Sequence, residues 1–240
     1  DLRAACGGHS HGARPVEATR QYHHRWKEFK SRFLAGQTPI GEIEHIFFRH
    51  EEQARGSLHV HAAIWVKAGT SRPEAICATA PRRYQPGDAE FDERDPARDL
   101  TQQEREWRDF VLAVQYHGCR PACHKKHGVF VSETYCKGGY PRAIWLRREV
   151  EGRSIWLPPD AEPSVEELRE QAFGEQARVA LNVETDRYEY LTILEEDERL
   201  STYIPLWLLA WGANMNIQYC TAAGRRAPRR SRSTRTATPA

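Results

Sequence analysis

The sequence predicts an α+β fold with a largely antiparallel sheet, and three observations carry that reading. Residues 15–34 place Tyr22, Trp26, Phe29 and Phe33 at i, i+4, i+7 and i+11, the apolar stripe of one helix face. Two β-like runs, "IGEIEHIFFRHE" (residues 40–51) and "SLHVHAAIWV" (residues 57–66), lie close enough in sequence for an antiparallel hairpin. Two further strand-like runs, "RYEYLTIL" and "NMNIQYC", flank residues 205–211, an apolar segment that reads as a short buried helix.

In chain order, residues 1–14 read as a flexible leader and residues 15–221 as one folded domain. His23 and His24 fall off the first helix's stripe and are expected to be exposed, and Gly36 stops that helix. In the second strand Val60, Ala62, Ile64 and Val66 point to one face, and His59, His61, Ala63 and Trp65 to the other. Residues 82–99 form a polar insertion rich in turn signals. A helix over residues 100–116 follows, with Trp107, Phe110, Val111 and Val114 as its buried stripe. A Cys/His segment occupies residues 117–141, and "SVEELREQAF" predicts a short helix with a Ser164/Glu167 capping box. No internal repeat is visible.

Composition narrows the class. Hydrophobic residues make up 40% and charged ones 28%, which fits a globular chain and excludes wholesale disorder. No apolar run approaches the ~20 residues needed to span a membrane, so no membrane partner is expected. The first residues lack the apolar core of a secretion signal, so the expected location is intracellular. The net charge of +2 is carried by the end of the chain. Residues 222–240 hold six arginines and no acid, which leaves the remainder net negative. This basic tail is low in complexity and is expected to be disordered. Such a tail can hold phosphate backbones without specificity.

Two clusters bear chemistry. His59 and His61 emerge on one face of one strand, where two imidazoles can share a divalent ion if a carboxylate completes the set. Either Glu51 or Glu52 can return beside them across the hairpin. A His/His/carboxylate site suits Mn²⁺, Mg²⁺ or Zn²⁺, and phosphate substrates favour Mg²⁺ or Mn²⁺. The second cluster is His117, Cys119, Cys123 and Cys136, whose compact spacing fits structural Zn²⁺ better than disulfides. His124 and His127 are spare candidates that read as exposed, and Cys6, Cys77 and Cys220 read as ordinary thiols.

The run "GEIEHIFFRHEEQARGSLHVHAAIWV" resembles the signature of Helitron-type rolling-circle replication initiators, members of the HUH endonuclease group. The matching residues are Arg49, Glu51, Gln53, Arg55, Gly56, Ser57, His59, Val60, His61 and Trp65. "VQYHGCRPACHKKHGVFVSETYCKGGYP" resembles the family's Cys/His element, with Cys119 where the family carries a second His. "YEYLTILEEDERLSTYIPLWLLAWGANMNIQYC" resembles its strand, Pro-containing helix and Asn-rich strand. The departures are Glu52, where the family has an aromatic, and Leu58, where it has Pro; Glu52 brings an additional charge toward the site.

The resemblance implies a ferredoxin-like sheet, with Glu51 as the third ligand beside His59 and His61. It implies metal-dependent nicking and strand transfer on single-stranded DNA. Gln53, Arg55, Asn214 and Asn216 become candidate DNA contacts; the two asparagines equally suit a plain solvent face. Family members attack the phosphodiester with a tyrosine on a helix soon after the strand matching "NMNIQYC". Residues 221–240 hold no tyrosine, so no catalytic nucleophile is identified, and the expectation is a degenerate initiator truncated before it. The helicase region expected in full-length relatives is likewise absent from this sequence. The alternatives are a non-catalytic, zinc-stapled DNA-binding module and a metal-dependent hydrolase that uses water.

Overall fold

The structure, a computed structural model, describes residues 15–52, 58–159, 164–166, 179–182 and 187–220. The leader, the tail, Gln53, Arg55, Cys6 and most of the segment expected to form the Ser164-capped helix lie outside these residues. Helix α1 (Pro15–Phe33) begins at a proline, whose fixed φ suits the first helical turn, and buries Tyr22, Trp26 and Phe29. Strand β1 (Gln37–Thr38) pairs with the start of β2 (Gly41–Glu52), and β2 pairs antiparallel with β3 (Leu58–Val66). Helix α2 (Gln102–Gln115) starts at a capping box in which Thr101 and Glu104 satisfy each other's backbone N–H groups. Those bonds from the Thr101 backbone and hydroxyl hold the Glu104 carboxyl below its ordinary range.

Three more antiparallel hairpins follow: β4 (Lys125–Lys126) with β5 (Val129–Phe130), β6 (Leu146–Val150) with β7 (Arg153–Leu157), and β8 (Val179–Asn182) with β9 (Arg187–Tyr190). Helix α3 (Pro205–Trp211) ends at Gly212 in the left-handed conformation. The architecture is α+β with every strand pair antiparallel, distributed among small separate sheets within the described residues. Among the described residues no helix is long and apolar enough to cross a membrane.

One face of β2–β3 builds the main core. Ile46, Phe48, Val60 and Ile64 pack against Trp26 and Phe29 of α1, Tyr190 of β9, and Ile204 and Trp207 around α3. A second cluster joins Val111 of α2 to Ala80, Leu200, Tyr203 and Leu208. The α2 stripe matches its spacing, with Trp107, Phe110 and Val114 packed at the rim of that cluster.

Polar residues are also buried, where hydropathy alone would not place them. Asp197 is fully buried and accepts hydrogen bonds from Ala80 N at 2.6 Å, Ile193 N at 3.2 Å and Leu194 N at 3.1 Å. Arg82, at the head of the expected polar insertion, is drawn inward to pair with Asp197 at 2.5 Å and Glu196 at 3.3 Å. Arg108 of α2 donates to Pro81 O at 2.7 Å and also pairs with Glu196. Gln115 is fully buried and joins Ser201 O at 3.2 Å to Met215 O at 2.9 Å. Arg82, Arg108 and Asp197 therefore each face an opposite charge, while Arg82 Nε and Nη1 are buried with no hydrogen-bond partner among the described residues.

Residues 213–219 form no strand, although their exposure alternates residue by residue as expected. Their backbone is instead held by side chains, Gln115 Oε1 on Met215 N and Thr202 Oγ1 on Ile217 N, both at 3.0 Å.

Candidate metal centres

The β2–β3 register sets Glu51 directly opposite His59 and Arg49 opposite His61. Directly opposed residues share a face and strands alternate faces, so all four side chains stand on the side away from the core. The pleat also resolves the choice between the two acids. Glu52 pairs with Leu58 and sits one residue out of phase with Glu51, so its charge is directed away from the imidazoles.

His59 Nε2 lies 2.8 Å from His61 Nε2, while Glu51 Oε2 is 3.1 Å from His61 Nε2 and 3.4 Å from His59 Nε2. Arg49 holds the other carboxylate oxygen, Oε1, which leaves Oε2 aimed at the imidazoles. Glu51 and His59 are each about one-third exposed and His61 more so, so the site is open on one side. Behind it, on the core face, His50 Nδ1 meets the Tyr22 hydroxyl at 3.0 Å and its ring packs against Trp26 and Phe48. Burial, and secondarily His23, lowers the pKa of His50. His23 and His24 are exposed, as their positions off the stripe imply, yet the His23 ring still touches His50.

The second cluster gathers His117, Cys123 and Cys136, whose donor atoms lie within 4.8 Å of one another. His117 Nε2 is 3.8 Å from Cys123 Sγ and 3.3 Å from Cys136 Sγ. Its ring stacks on Tyr140 at 4.2 Å, and its pKa is lowered by burial and by Arg199 and Arg120. Burial pushes the Cys136 thiol up. Hydrogen bonds from the Tyr140 and Gly138 backbone and from the Cys119 and Cys123 thiols outweigh that and lower it overall. Cys119 stands at the edge of the set. It donates to Cys136, accepts from Arg199 Nη1 at 3.5 Å, and is itself raised by burial.

Of the candidate DNA contacts, Asn214 donates to Val114 O at 3.0 Å, and Asn216 accepts from the Thr202 hydroxyl at 2.9 Å. Asn214 thus fastens this segment to α2, and Asn216 fastens it to the residues leading into α3. The tyrosines closest to the expected nucleophile position are packed. Tyr190 and Tyr203 are buried, and burial raises both phenols, Tyr190 to about 12. Tyr203 donates to Thr79 O at 2.8 Å, and Tyr188 packs edge-on against Tyr219.

Sequence reasoning missed the Arg49 clasp on Glu51, although the (i, i+2) spacing that places both on one strand face was readable. It also missed Phe47, which stands exposed on the same face as the histidines beside Trp65, the residue that the alternation places there. No family model, curated protein or solved structure matches the chain.

Proposed function

We propose that the outer face of β2–β3 is a divalent-metal site acting on single-stranded DNA, in the manner of a Helitron-type initiator. The observation that carries this reading is the convergence of Glu51, His59 and His61 from two strands. Three donors at right angles about 2.1 Å from an ion are about 3 Å apart, whereas a tetrahedral set spans about 3.4 Å. Separations of 2.8, 3.1 and 3.4 Å span both values, so the three donors can close on one ion in either geometry, and it is the phosphate substrate that favours Mn²⁺ or Mg²⁺. The donor set, two neutral nitrogens and one carboxylate, fits such an ion. When bound, the ion supplies Lewis-acid polarisation of a phosphoryl oxygen.

The chain's own residues do the rest. Glu51 provides the anionic charge, and Arg49 fixes its orientation while presenting a largely exposed guanidinium to an approaching phosphate. A ferredoxin-like arrangement of the sheet belongs to the same proposal. The packed state of Tyr190 and Tyr203, the latter bonded to Thr79 O, argues against either as the attacking group.

The test is an end-labelled single-stranded oligonucleotide incubated with the protein and Mn²⁺, then read on native and denaturing gels. Metal-dependent binding without a protein-linked band is expected. Free cleaved DNA would instead establish the water-using hydrolase, and binding indifferent to Mn²⁺ would defeat the metal-site reading.

The second cluster favours a parallel assignment as structural zinc, since N–S edges of 3.3 and 3.8 Å bracket the about 3.5 Å of a tetrahedral Zn²⁺ site. Co²⁺ titration is expected to give sulfur-to-metal charge-transfer absorption that Cys136→Ser abolishes and Cys119→Ser only weakens. Equal loss in both variants would show Cys119 to be a full ligand, and no absorption in the wild-type protein would refute the site.

A further inference from the structure

The hairpin β4–β5 lies between two members of the second cluster, Cys123 and Cys136, and neither metal assignment uses it. Its two turn residues, His127 and Gly128, both take positive φ, 50° and 84°, the pattern of a tight type I′ turn. Beyond the two named pairs the ladder extends through Val131 N to His124 O at 2.8 Å. The base of the hairpin is fastened by Lys137 N to Cys123 O at 2.9 Å and by His124 Nδ1 to Tyr135 O at 2.8 Å. A short, stiff finger therefore projects from a fixed base.

What the finger displays is unusual for a surface. Val129, Phe130 and Val131 are 69%, 58% and 48% exposed in a row. Both lysines of β4 are exposed beside them. In the register Lys125 opposes Phe130, so ammonium and ring share one face, with Lys126 and Val129 on the other. Residues 118–137 carry four lysines and arginines against one acid, Glu133, in a chain whose remainder outside the basic tail is net negative. Beside Phe130 lies a shallow cleft of about 470 Å³, lined by Cys119, Pro121, His124, Lys125, Phe130 and Glu133.

We propose that this hairpin is a contact site for single-stranded nucleic acid, with Phe130 stacking on an unpaired base and Lys125 and Lys126 holding the adjoining phosphates. The charge sign selects a polyanion, and an exposed ring next to a cation selects one whose bases are free to stack. A purely apolar partner would leave both lysines facing nothing. The site is separate from Glu51, His59 and His61 and stands whether or not those residues hold an ion.

The test is fluorescence anisotropy of a labelled oligothymidylate with the full chain, over a range of salt. Phe130→Ala is expected to weaken binding about 5- to 150-fold, and Phe130→Trp to retain it. Replacing both lysines with glutamine is expected to lower the slope of log affinity against log salt by about 1.4. All three substitutions lie on an exposed finger, and unchanged thermal midpoints will show that the fold is intact. The same losses in a Glu51→Ala background would separate this site from the β2–β3 face. Unchanged affinity in Phe130→Ala, equal binding of a duplex of the same sequence, or preference for phosphatidylserine vesicles over the oligonucleotide would each overturn the proposal.

Discussion

Asp197→Ala is expected to destabilise the protein by about 3–5 kcal/mol, because it removes the buried counter-charge nearest to the Arg82 guanidinium. The Arg82 side chain is 1% exposed and that of Asp197 is fully buried, so water cannot replace what is lost. The carboxylate also satisfies three backbone N–H groups, from Ala80, Ile193 and Leu194, and each becomes an orphaned donor. Glu196 stays within 3.3 Å of Arg82 but is already shared with Arg108. Urea unfolding measures the effect directly. Asp197→Asn should fall between wild type and alanine, since it restores shape and some acceptors but not charge. A loss below about 1 kcal/mol for the alanine variant would show that the network relaxes or hydrates instead.

Glu51→Ala is expected to lower Mn²⁺ affinity by at least about 100-fold, since even the partners of metal ligands are worth 10- to 100-fold. His59→Ala should behave alike, with thermal stability preserved, because both side chains stand on the face away from the core. Glu52→Ala is the informative control. It removes the same charge one residue away but from the opposite side of the pleat, and should leave affinity little changed. Calorimetric or paramagnetic titration of the three variants settles the matter. Survival of Mn²⁺ binding in His59→Ala would remove the foundation of the proposed function.

Much of this arrangement was legible in the residues. The period of Tyr22, Trp26 and Phe29 specifies α1, and period-2 alternation puts His59 and His61 on one face. The choice between Glu51 and Glu52 was not legible from spacing, because it depends on the hairpin register and a slip of one residue would exchange them. The buried network was hidden for a different reason. Arg82, Arg108, Gln115 and Asp197 look like surface residues to any hydropathy argument, and only the polar partners each meets inside the fold make burial tolerable. Hairpin β6–β7 escaped notice because its first strand, "LRREV", is almost entirely exposed and shows no apolar alternation. Its turn was readable, since Glu151-Gly152 takes positive φ at both positions, 51° and 77°.

The long reach of the contacts around Asp197 sets the order in which this chain can fold. Asp197 grips Ala80 across 117 residues, Gln115 grips Met215 across 100, and Arg25 on α1 reaches the backbone of Trp211. On a ribosome, the apolar side of β2–β3 is made early and waits for Ile204 and Trp207 to cover it. Completion of this core is therefore expected to wait on the closure of long loops rather than on local helix formation. Until then Phe48, Val60 and Ile64 have only Trp26 and Phe29 of α1 to cover them, a partly exposed strand surface of the kind that chaperones shield.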